Sequence, residues 1–329
     1  MKSDSDIHLP VMTAELLEFL APQGGIFVDC TVGLGGHSAA ILAAHPENRV
    51  LGLDRDAAAL AHCAKRLAPF GDRVTLRQAS YIHMREIATE LHWQAVDGII
   101  MDLGLSSLQI DNSVRGFSYR QDGPLDMRFD QGSSLTASMI LNDWTEGELT
   151  RLFKEYGEEP HARRVAQAVV RRRAERPWER TVEFATMLEA TAGHQKGRHT
   201  PVAARCFQAL RLAVNGELEA VREGLVAAEA LLKPGGRLVV FAFHSLEDRL
   251  VKDHIRQAAS TCVCPPRMPI CQCGKQATLL PLTRKPLRAG DDELKKNPRA
   301  ASAKMRAARK PDGTERKYNK YQDSGPDDE

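Results

Sequence analysis

A glycine-rich turn and an acidic residue that follows it are the first features of this sequence that could bind a ligand. The turn runs from Asp29 to Ser38 with the sequence DCTVGLGGHS. Glycines let a backbone approach a ligand closely and aim a helix N-terminus at it. Asp54 follows 19 residues after Gly35, at the end of the next predicted strand, where a carboxylate can accept hydrogen bonds from both ribose hydroxyls of an adenosine. The pair predicts a nucleoside site, rather than a turn that merely packs a helix onto a strand.

The glycine spacing separates two classes of nucleoside cofactor. Gly33, Gly35 and Gly36 do not follow the GxGxxG spacing of dinucleotide-binding proteins. Asp29 precedes these glycines, and a carboxylate there can pair with the ammonium group of S-adenosylmethionine. The sequence therefore favours S-adenosylmethionine over NAD.

A second strand-end carboxylate, Asp102, begins the sequence DLGLSSLQ. An amine conjugated to a ring is a poor nucleophile, and a carboxylate that accepts its N–H can hold the lone pair toward a methyl group. The alternative is that Asp102 caps its own loop. Methylation of a pyrimidine carbon would need a cysteine nucleophile, and none ends the fourth or fifth predicted strand. Transfer to nitrogen or oxygen is favoured.

The elements that must position these residues alternate between strand and helix over the first hundred residues. Strand patterns at 26–28, 49–53, 74–76 and 96–101 are separated by helical patterns, which is typical of a mostly parallel α/β sheet. The chain then reads as helical to about Val214. A helix that ends at Pro234 and a strand over 237–243 follow. We predict a discontinuous sheet domain over 1–105 and 215–308, a helical insertion over 106–214, and a disordered tail over 309–329.

Charge is segregated along the 329-residue chain, although its formal net charge is only +2. Residues 161–211 hold 11 Lys and Arg against 4 Asp and Glu, and residues 284–320 hold 13 against 5. Two basic surfaces indicate a polyanionic partner, and the alternative is that each is an ordinary solvated face. The apolar run Leu238 to Phe243 is far too short to cross a bilayer, and no leader opens the sequence. We therefore expect a soluble, cytoplasmic protein without a membrane partner.

Nine motifs in sequence order resemble the bacterial 16S ribosomal RNA cytosine-N4 methyltransferase family, known as RsmH or MraW. The resemblance spans residues 8 to about 308. The motifs are His8-Leu-Pro-Val11, the Gly33 to Ser38 turn, Asp102-Leu-Gly-Leu-Ser-Ser107, Arg115-Gly-Phe-Ser118, Asp122-Gly-Pro-Leu-Asp-Met-Arg128, Phe207-Gln-Ala-Leu-Arg211, Asn215-x-Glu217-Leu218, Phe243-His-Ser-Leu-Glu-Asp-Arg249 and Asn297-Pro-Arg-Ala300.

The resemblance implies a Rossmann-like class I methyltransferase sheet with a helical insertion domain. It implies transfer of a methyl group from S-adenosylmethionine to the N4 of one cytidine in the decoding region of 16S rRNA, within the small ribosomal subunit. By motif position the cofactor residues are Gly33, Gly35, Gly36, His37, Asp54, Tyr81, Asp102 and Gln109. For Tyr81 the alternative is a core tyrosine. The oligomeric state stays open between a monomer and a homodimer.

Loop residues near Asp102 are candidates for holding the RNA. Arg115 and Phe117 interleave guanidinium and aromatic groups, which can hold phosphates and stack a base pulled from folded RNA. Arg128 is a third candidate. The alternatives are that Phe117 packs the insertion onto the core while the arginines of this loop are only solvated, and that Arg128 pairs internally with Asp126.

Two residues after the fifth predicted strand, His244 and Ser245, are candidate catalytic residues. By topology they face the same crevice as Asp102, where they could order the cytosine or the loops around it. The alternative for His244 is a buried, hydrogen-bonded histidine.

Four cysteines, Cys262, Cys264, Cys271 and Cys273, lie within twelve residues. They could enclose a structural zinc ion, although the usual zinc sites have at least two residues between paired cysteines. Reduced thiols or a redox pair is the other interpretation. No metal is assigned to the reaction under either one.

Two other functions fit the predicted fold. A nicotinamide dehydrogenase shares the sheet but needs the glycine spacing that this turn lacks. A non-catalytic RNA-binding or assembly protein would have no need of the Gly33 turn together with Asp54 and Asp102.

Overall fold

Seven strands form a single mixed sheet at the centre of the protein. The computed structural model describes residues 10–192, 200–265 and 272–314. The strands are β1 (Ile26–Asp29), β2 (Arg49–Asp54), β3 (Val74–Gln78), β4 (Val96–Asp102), β5 (Leu232–Ala242), β6 (Leu280–Pro281) and β7 (Lys304–Arg309). Their order in the sheet is β3-β2-β1-β4-β5-β7-β6. The first five strands run parallel, and β7 is antiparallel to both β5 and β6.

Thirteen α-helices are described around and beside this sheet. They are α1 (Thr13–Leu20), α2 (Gly36–Ala44), α3 (Ala57–Leu67), α4 (Met84–Glu90), α5 (Ser107–Asp111), α6 (Ala137–Asp143), α7 (Glu146–Glu155), α8 (Ala162–Arg173), α9 (Thr181–Ala192), α10 (Val202–Asn215), α11 (Glu217–Leu231), α12 (Ser245–Ala259) and α13 (Asp291–Lys296). In the described residues no helix is both long and apolar enough to cross a membrane.

The strand order places a crevice between β1 and β4. The chain leaves β1 toward β2 on one side of the sheet, and β4 pairs with β1 on the other side. Ligands of open α/β sheets bind where the strand order reverses, outside the carboxyl ends of the strands. Asp29 and Asp102 end these two strands, so both aspartates lie at the reversal point.

The helical region has a hydrophobic core of its own. Apolar side chains between Phe117 and Val214 pack together around Trp178, Phe184 and Phe207. The ring of Phe184 lies 5.5 Å from that of Trp178 and 5.6 Å from that of Phe207, measured between ring centroids. A separate cluster supports an insertion, and its boundaries at 106 and 214 stay predictions.

The structure corrects three expectations about the elements. The helix predicted to end at Pro234 ends at Leu231, and β5 begins at the next residue. Strands β6 and β7 were not predicted. The prediction of a disordered tail is wrong at its first residues, because Arg309 lies in β7 and Lys310 N donates to Gly236 O at 2.8 Å. Residues 315–329 lie outside the described residues, as do His8 and Leu9 of the first motif.

Candidate active site

A cavity of about 480 Å³ opens at the carboxyl ends of the parallel strands. Its volume lies within the range of small-molecule and cofactor sites. The predicted cofactor residues that line it are Gly33, Gly36, His37, Asp54, Tyr81, Asp102 and Gln109. The structure thus brings together residues that are far apart in the sequence.

The glycine turn reaches from β1 to the first turn of α2. Gly33 has a φ of +49° and Gly35 a φ of +76°, which side chains with a Cβ rarely adopt. A Cβ on Gly35 would lie 2.9 Å from Cys63 Sγ on α3. Gly35 therefore faces α3 and lies outside the cavity lining, where the sequence had predicted a cofactor contact.

Asp54 is fixed at the end of β2 by backbone donors. Gly33 N donates to its Oδ2 and Asp56 N donates to its Oδ1, both at 2.9 Å. Burial raises the pKa of this carboxyl to about 6, although these hydrogen bonds lower it. Each carboxylate oxygen keeps a second lone pair, so Asp54 can still accept from a vicinal diol in the cavity.

Asp102 has one buried oxygen without a partner among the described residues, Oδ1. The residue is held by its own N–H, which donates to Thr31 Oγ1 at 2.7 Å. Burial, with a smaller contribution from the negative charge of Glu247, raises the pKa of Asp102 to about 7. An unpaired buried acceptor costs free energy, and it marks the position where a donor from a ligand fits best.

His37 lies beside Asp102 but does not neutralise it. His37 Nε2 donates to Val11 O at 2.8 Å, and burial lowers the pKa of the imidazole. The neutral ring therefore turns the lone pair of Nδ1 toward Asp102 Oδ2, 3.6 Å away. Because Nδ1 of the neutral ring and Asp102 Oδ2 are both acceptors, His37 donates no hydrogen bond to Asp102. The carboxylate can accept one from a bound ligand.

Asp29, the predicted partner of an ammonium group, does not line the cavity. Its Oδ2 accepts from Ser38 Oγ at 2.6 Å and its Oδ1 from Thr31 N at 3.3 Å. Burial raises its pKa to about 6. The carboxyl group secures the start of α2 and is not presented to a ligand.

Gln109 and Tyr81 both line the cavity. Each side chain also contacts other parts of the chain. Gln109 Nε2 donates to Asp56 Oδ2 at 3.0 Å, and its Oε1 accepts from Ser106 N at 3.0 Å. The amide therefore holds the loop that follows Asp102. Burial raises the pKa of the Tyr81 hydroxyl well above its ordinary value. A Cβ on Gly224 of α11 would lie 2.5 Å from the Tyr81 ring, so α11 fixes the ring in place.

The three predicted RNA contacts are internal. Arg115 is buried, and its Nη1 donates to Asp56 Oδ2 at 2.7 Å. Phe117 is buried in the core of the helical region, stacked on Phe129 at 5.7 Å. Arg128 Nη2 donates to Asp126 Oδ2 at 2.6 Å. Each of these side chains is already paired or packed within the chain, so a direct contact with RNA stays a prediction.

The two predicted catalytic residues after β5 also lie outside the cavity lining. His244 Nε2 lies 3.1 Å from Glu247 Oε1, and the residue caps α12. Ser245 Oγ donates to Glu158 Oε2 at 2.5 Å. Both side chains position α12 and its neighbours, and the structure gives neither a direct contact with the cavity.

The sequence analysis missed a buried charged group that does line the cavity. Arg211 Nε donates to Glu217 Oε1 at 2.8 Å. Arg211 Nη2 lies 3.9 Å from Glu247 Oε1 and has no hydrogen-bond partner among the described residues. All three side chains are in motifs quoted above. The sequence feature that could have revealed this group is a charged residue on an otherwise apolar helix face. A charged residue in such a place is rarely buried unless it is paired.

Comparison with known proteins gives one consistent family. The sequence model of the MraW methylase family matches residues 5–311. "Ribosomal RNA small subunit methyltransferase H" of Heliobacterium modesticaldum is 50% identical over 309 residues, covering 92% of this chain and 98% of the relative. The protein with the same description in Symbiobacterium thermophilum is 48% identical over 305 residues, covering 91% and 95%.

Solved structures are more distant. A crystal structure of an rRNA methylase from Streptococcus thermophilus covers 91% of this chain and 93% of that chain, at 12% identity and a TM-score of 0.39. A likeness of this size supports no inference about the site.

Proposed function

Because the chain belongs to the MraW methylase family, we propose that it methylates the N4 amine of a cytidine in the decoding region of 16S ribosomal RNA. The chain is a methyltransferase, and S-adenosylmethionine is its methyl donor. Its relatives are described by their action on small-subunit ribosomal RNA. We infer a cytoplasmic location from this substrate.

The unpartnered oxygen of Asp102 is the observation that carries the proposal. It is a buried acceptor at the cavity wall, with no donor among the described residues. The exocyclic amine of cytosine has two N–H donors, and neither the 2′-hydroxyl nor a ring carbon of the base offers two. An amine that donates to Oδ1 would be held with its lone pair directed into the cavity.

The cavity fits S-adenosylmethionine through three features. Gly33 and Gly36 leave the turn without side chains at the wall, and Asp54 retains acceptor capacity for ribose hydroxyls. Tyr81 supplies an aromatic surface for adenine. When bound, the cofactor supplies an electrophilic methyl group on a sulfonium.

The residues of the chain then have three tasks. Asp102 orients the amine, and the turn and Asp54 hold the nucleoside part of the donor. As the new N–C bond forms and the S–C bond breaks, one amine proton must leave. A carboxyl whose pKa is about 7 can take that proton near neutral pH and return it to water.

The other two functions predict different chemistry. A dehydrogenase would change NADH absorbance, and a non-catalytic RNA-binding protein would bind the subunit without modifying it. Incubation of the purified protein with tritiated-methyl S-adenosylmethionine and small ribosomal subunits separates them. Nucleoside chromatography should give label in N4-methylcytidine. Label in a ring-methylated pyrimidine, or no label, would contradict the proposal.

A further inference from the structure

Three cysteines in the segment between α12 and β6 converge on one point. Cys262, Cys264 and Cys273 place their Sγ atoms within 4.8 Å of one another. Around a tetrahedral zinc ion, with Zn–S distances of about 2.3 Å, sulfur atoms stand about 3.8 Å apart. The three sulfurs could therefore share one ion after shifts of no more than roughly 1 Å.

Two backbone N–H groups are directed at these sulfurs. Cys264 N donates to Cys262 Sγ at 3.4 Å, and Val263 N donates to Cys273 Sγ at 3.5 Å. Such donors stabilise negative charge on sulfur, and the thiolate is the form that binds a metal. The backbone is thus arranged around the sulfur atoms as it is around metal thiolates.

The described part of this segment has no hydrophobic interior of its own to fix it. No side chain is buried at the described positions within 261–278, and Val263 is 65% exposed. Both ends are nevertheless anchored, since Thr278 N donates to Ala258 O at 2.9 Å and Leu279 is fully buried. Ordering a loop costs conformational entropy, and the described residues of this segment bury no side chain that would offset that cost. A metal cross-link between them would offset it.

We propose that Cys262, Cys264 and Cys273 bind a zinc ion that fixes this segment against the end of α12 and the edge of the sheet. Thiolates favour Zn²⁺ over hard cations. Coordination displaces the thiol protons into solvent, and the free energy of binding adds to the stability of the fold. None of the three lines the catalytic cavity, so the ion has a structural role.

The close spacing of Cys262 and Cys264 is compatible with this site. A single residue separates them, which differs from the usual zinc motif, yet their sulfurs converge with that of Cys273. Cys271, the fourth member of the predicted cluster, lies outside the described residues. The proposal rests on the other three.

The test measures metal content in the untagged, full-length protein purified under reducing conditions without a chelator. We expect about one zinc ion per chain. Cys262→Ser and Cys273→Ser should each lower the zinc content at least about tenfold. Val263→Ser is the matched control, because it changes an exposed side chain between two of the ligands and should retain the metal. Chelation should lower the melting temperature of the parent protein and of Val263→Ser, and leave Cys273→Ser unchanged.

Cobalt provides a readout of the ligands themselves. Co²⁺ added to the metal-free protein should give a thiolate-to-cobalt charge-transfer band and the visible bands of a tetrahedral site, both weakened by Cys273→Ser. Absence of zinc together with failure to take up zinc or cobalt would overturn the proposal. So would a disulfide between two of the three cysteines, found by mass spectrometry after alkylation of the native protein.

Discussion

Asp102 is the residue whose environment constrains the chemistry most. Its Oδ1 is buried without a partner among the described residues, and the neighbouring His37 turns a lone pair toward Oδ2. In the proposed function, this unsatisfied oxygen accepts a hydrogen bond when the cytosine amine enters. The hydrogen bond from the amine would offset the free-energy cost of the unpaired oxygen at the step that positions the nucleophile.

Replacing Asp102 with asparagine should slow methyl transfer by about 10²-fold or more at saturating cofactor. The amide keeps the size of the side chain but places a donor where the amine needs an acceptor. Single-turnover kinetics on small subunits separates transfer from cofactor binding. Asp72→Asn, the same change at an exposed position, should transfer at the parent rate. A saturated Asp102→Asn enzyme that matches the parent would show that Asp102 only helps to hold the cofactor.

The raised pKa of Asp102 predicts a pH dependence. Below pH 7 the carboxyl of the free enzyme is mostly protonated, since burial raises its pKa to about 7, and it then lacks the charge that attracts the amine. We expect kcat/KM to rise with pH and to level off above about 7, because kcat/KM reports the free enzyme. Asp102→Asn should lose this rise. An unchanged profile in the variant would assign the titration to another group, such as Asp54.

Asp54→Ala should weaken S-adenosylmethionine binding by at least about tenfold, or 1.4 kcal/mol. The change removes the acceptor for the ribose hydroxyls and also releases Gly33 N, which donates to Oδ2 at 2.9 Å. Calorimetry on the purified variant measures the affinity. Asp72→Ala is the matched control, and an unchanged affinity in Asp54→Ala would remove Asp54 from the site.

At the scale of elements, the loop after β4 is held by a buried ion pair. Arg115 Nη1 and Gln109 Nε2 both donate to Asp56 Oδ2, which links α5 and the turn after it to the start of α3. The side chains of Arg115 and Asp56 are 7% and 4% exposed. This pair places the segment that follows Asp102 against the sheet.

Arg115→Met should therefore lower the free energy of unfolding by about 3 kcal/mol, because it leaves the buried Asp56 carboxylate without its cation. Urea denaturation gives the value. Arg120→Met, an exposed arginine in the same region, is the control and should change stability little. Parent-like stability combined with weaker RNA binding would restore Arg115 as an RNA contact.

The parallel strands could be predicted because each is a short apolar run that ends in a turn, and Asp54 and Asp102 are visible as the acids at two of those ends. Strand β7 has the sequence KMRAAR and carries no such signal. Arg306 is buried there because its Nε donates to Asp248 Oδ1 at 2.7 Å, a residue 58 positions away. Arg115 is buried for the same reason, because it pairs with the carboxylate of Asp56, 59 positions away. Sequence patterns report local periodicity, and these partners are set by the fold.

At the scale of the whole molecule, the basic stretch over 161–211 contains arginines that contact other parts of the chain and arginines that are exposed to solvent. Arg173 Nη1 donates to Leu141 O at 2.8 Å. The guanidinium carbon of Arg172, Cζ, lies over the Trp178 ring, 4.5 Å from its centroid. On the same helix, α8, three other arginines are exposed: Arg163, Arg164 and Arg171. These three are the better candidates for sequence-independent contacts with phosphates.

Changing Arg163, Arg164 and Arg171 to glutamine should weaken binding to small subunits and reduce its salt dependence. Each lost phosphate contact lowers the slope of log K against log salt by about 0.7 to 0.9. Filter binding at several salt concentrations measures it, with cofactor affinity unchanged. Lys65, Arg77 and Arg85, all exposed and outside the basic stretches, give a control variant with the same charge change. A slope that survives would make α8 a solvated face.

The strand order also fixes when the sheet can close during synthesis. Strand β4 pairs with β1 on one side and with β5 on the other, and β5 begins at Leu232. About 130 residues separate the end of β4 from that point, which is roughly 6 to 26 seconds of translation at typical bacterial and eukaryotic rates. Throughout that interval the nascent chain carries an apolar strand with one open edge, and such edges pair readily with other chains. The helical region is synthesised before β5, and it can form its own core before β5 is available to pair with β4.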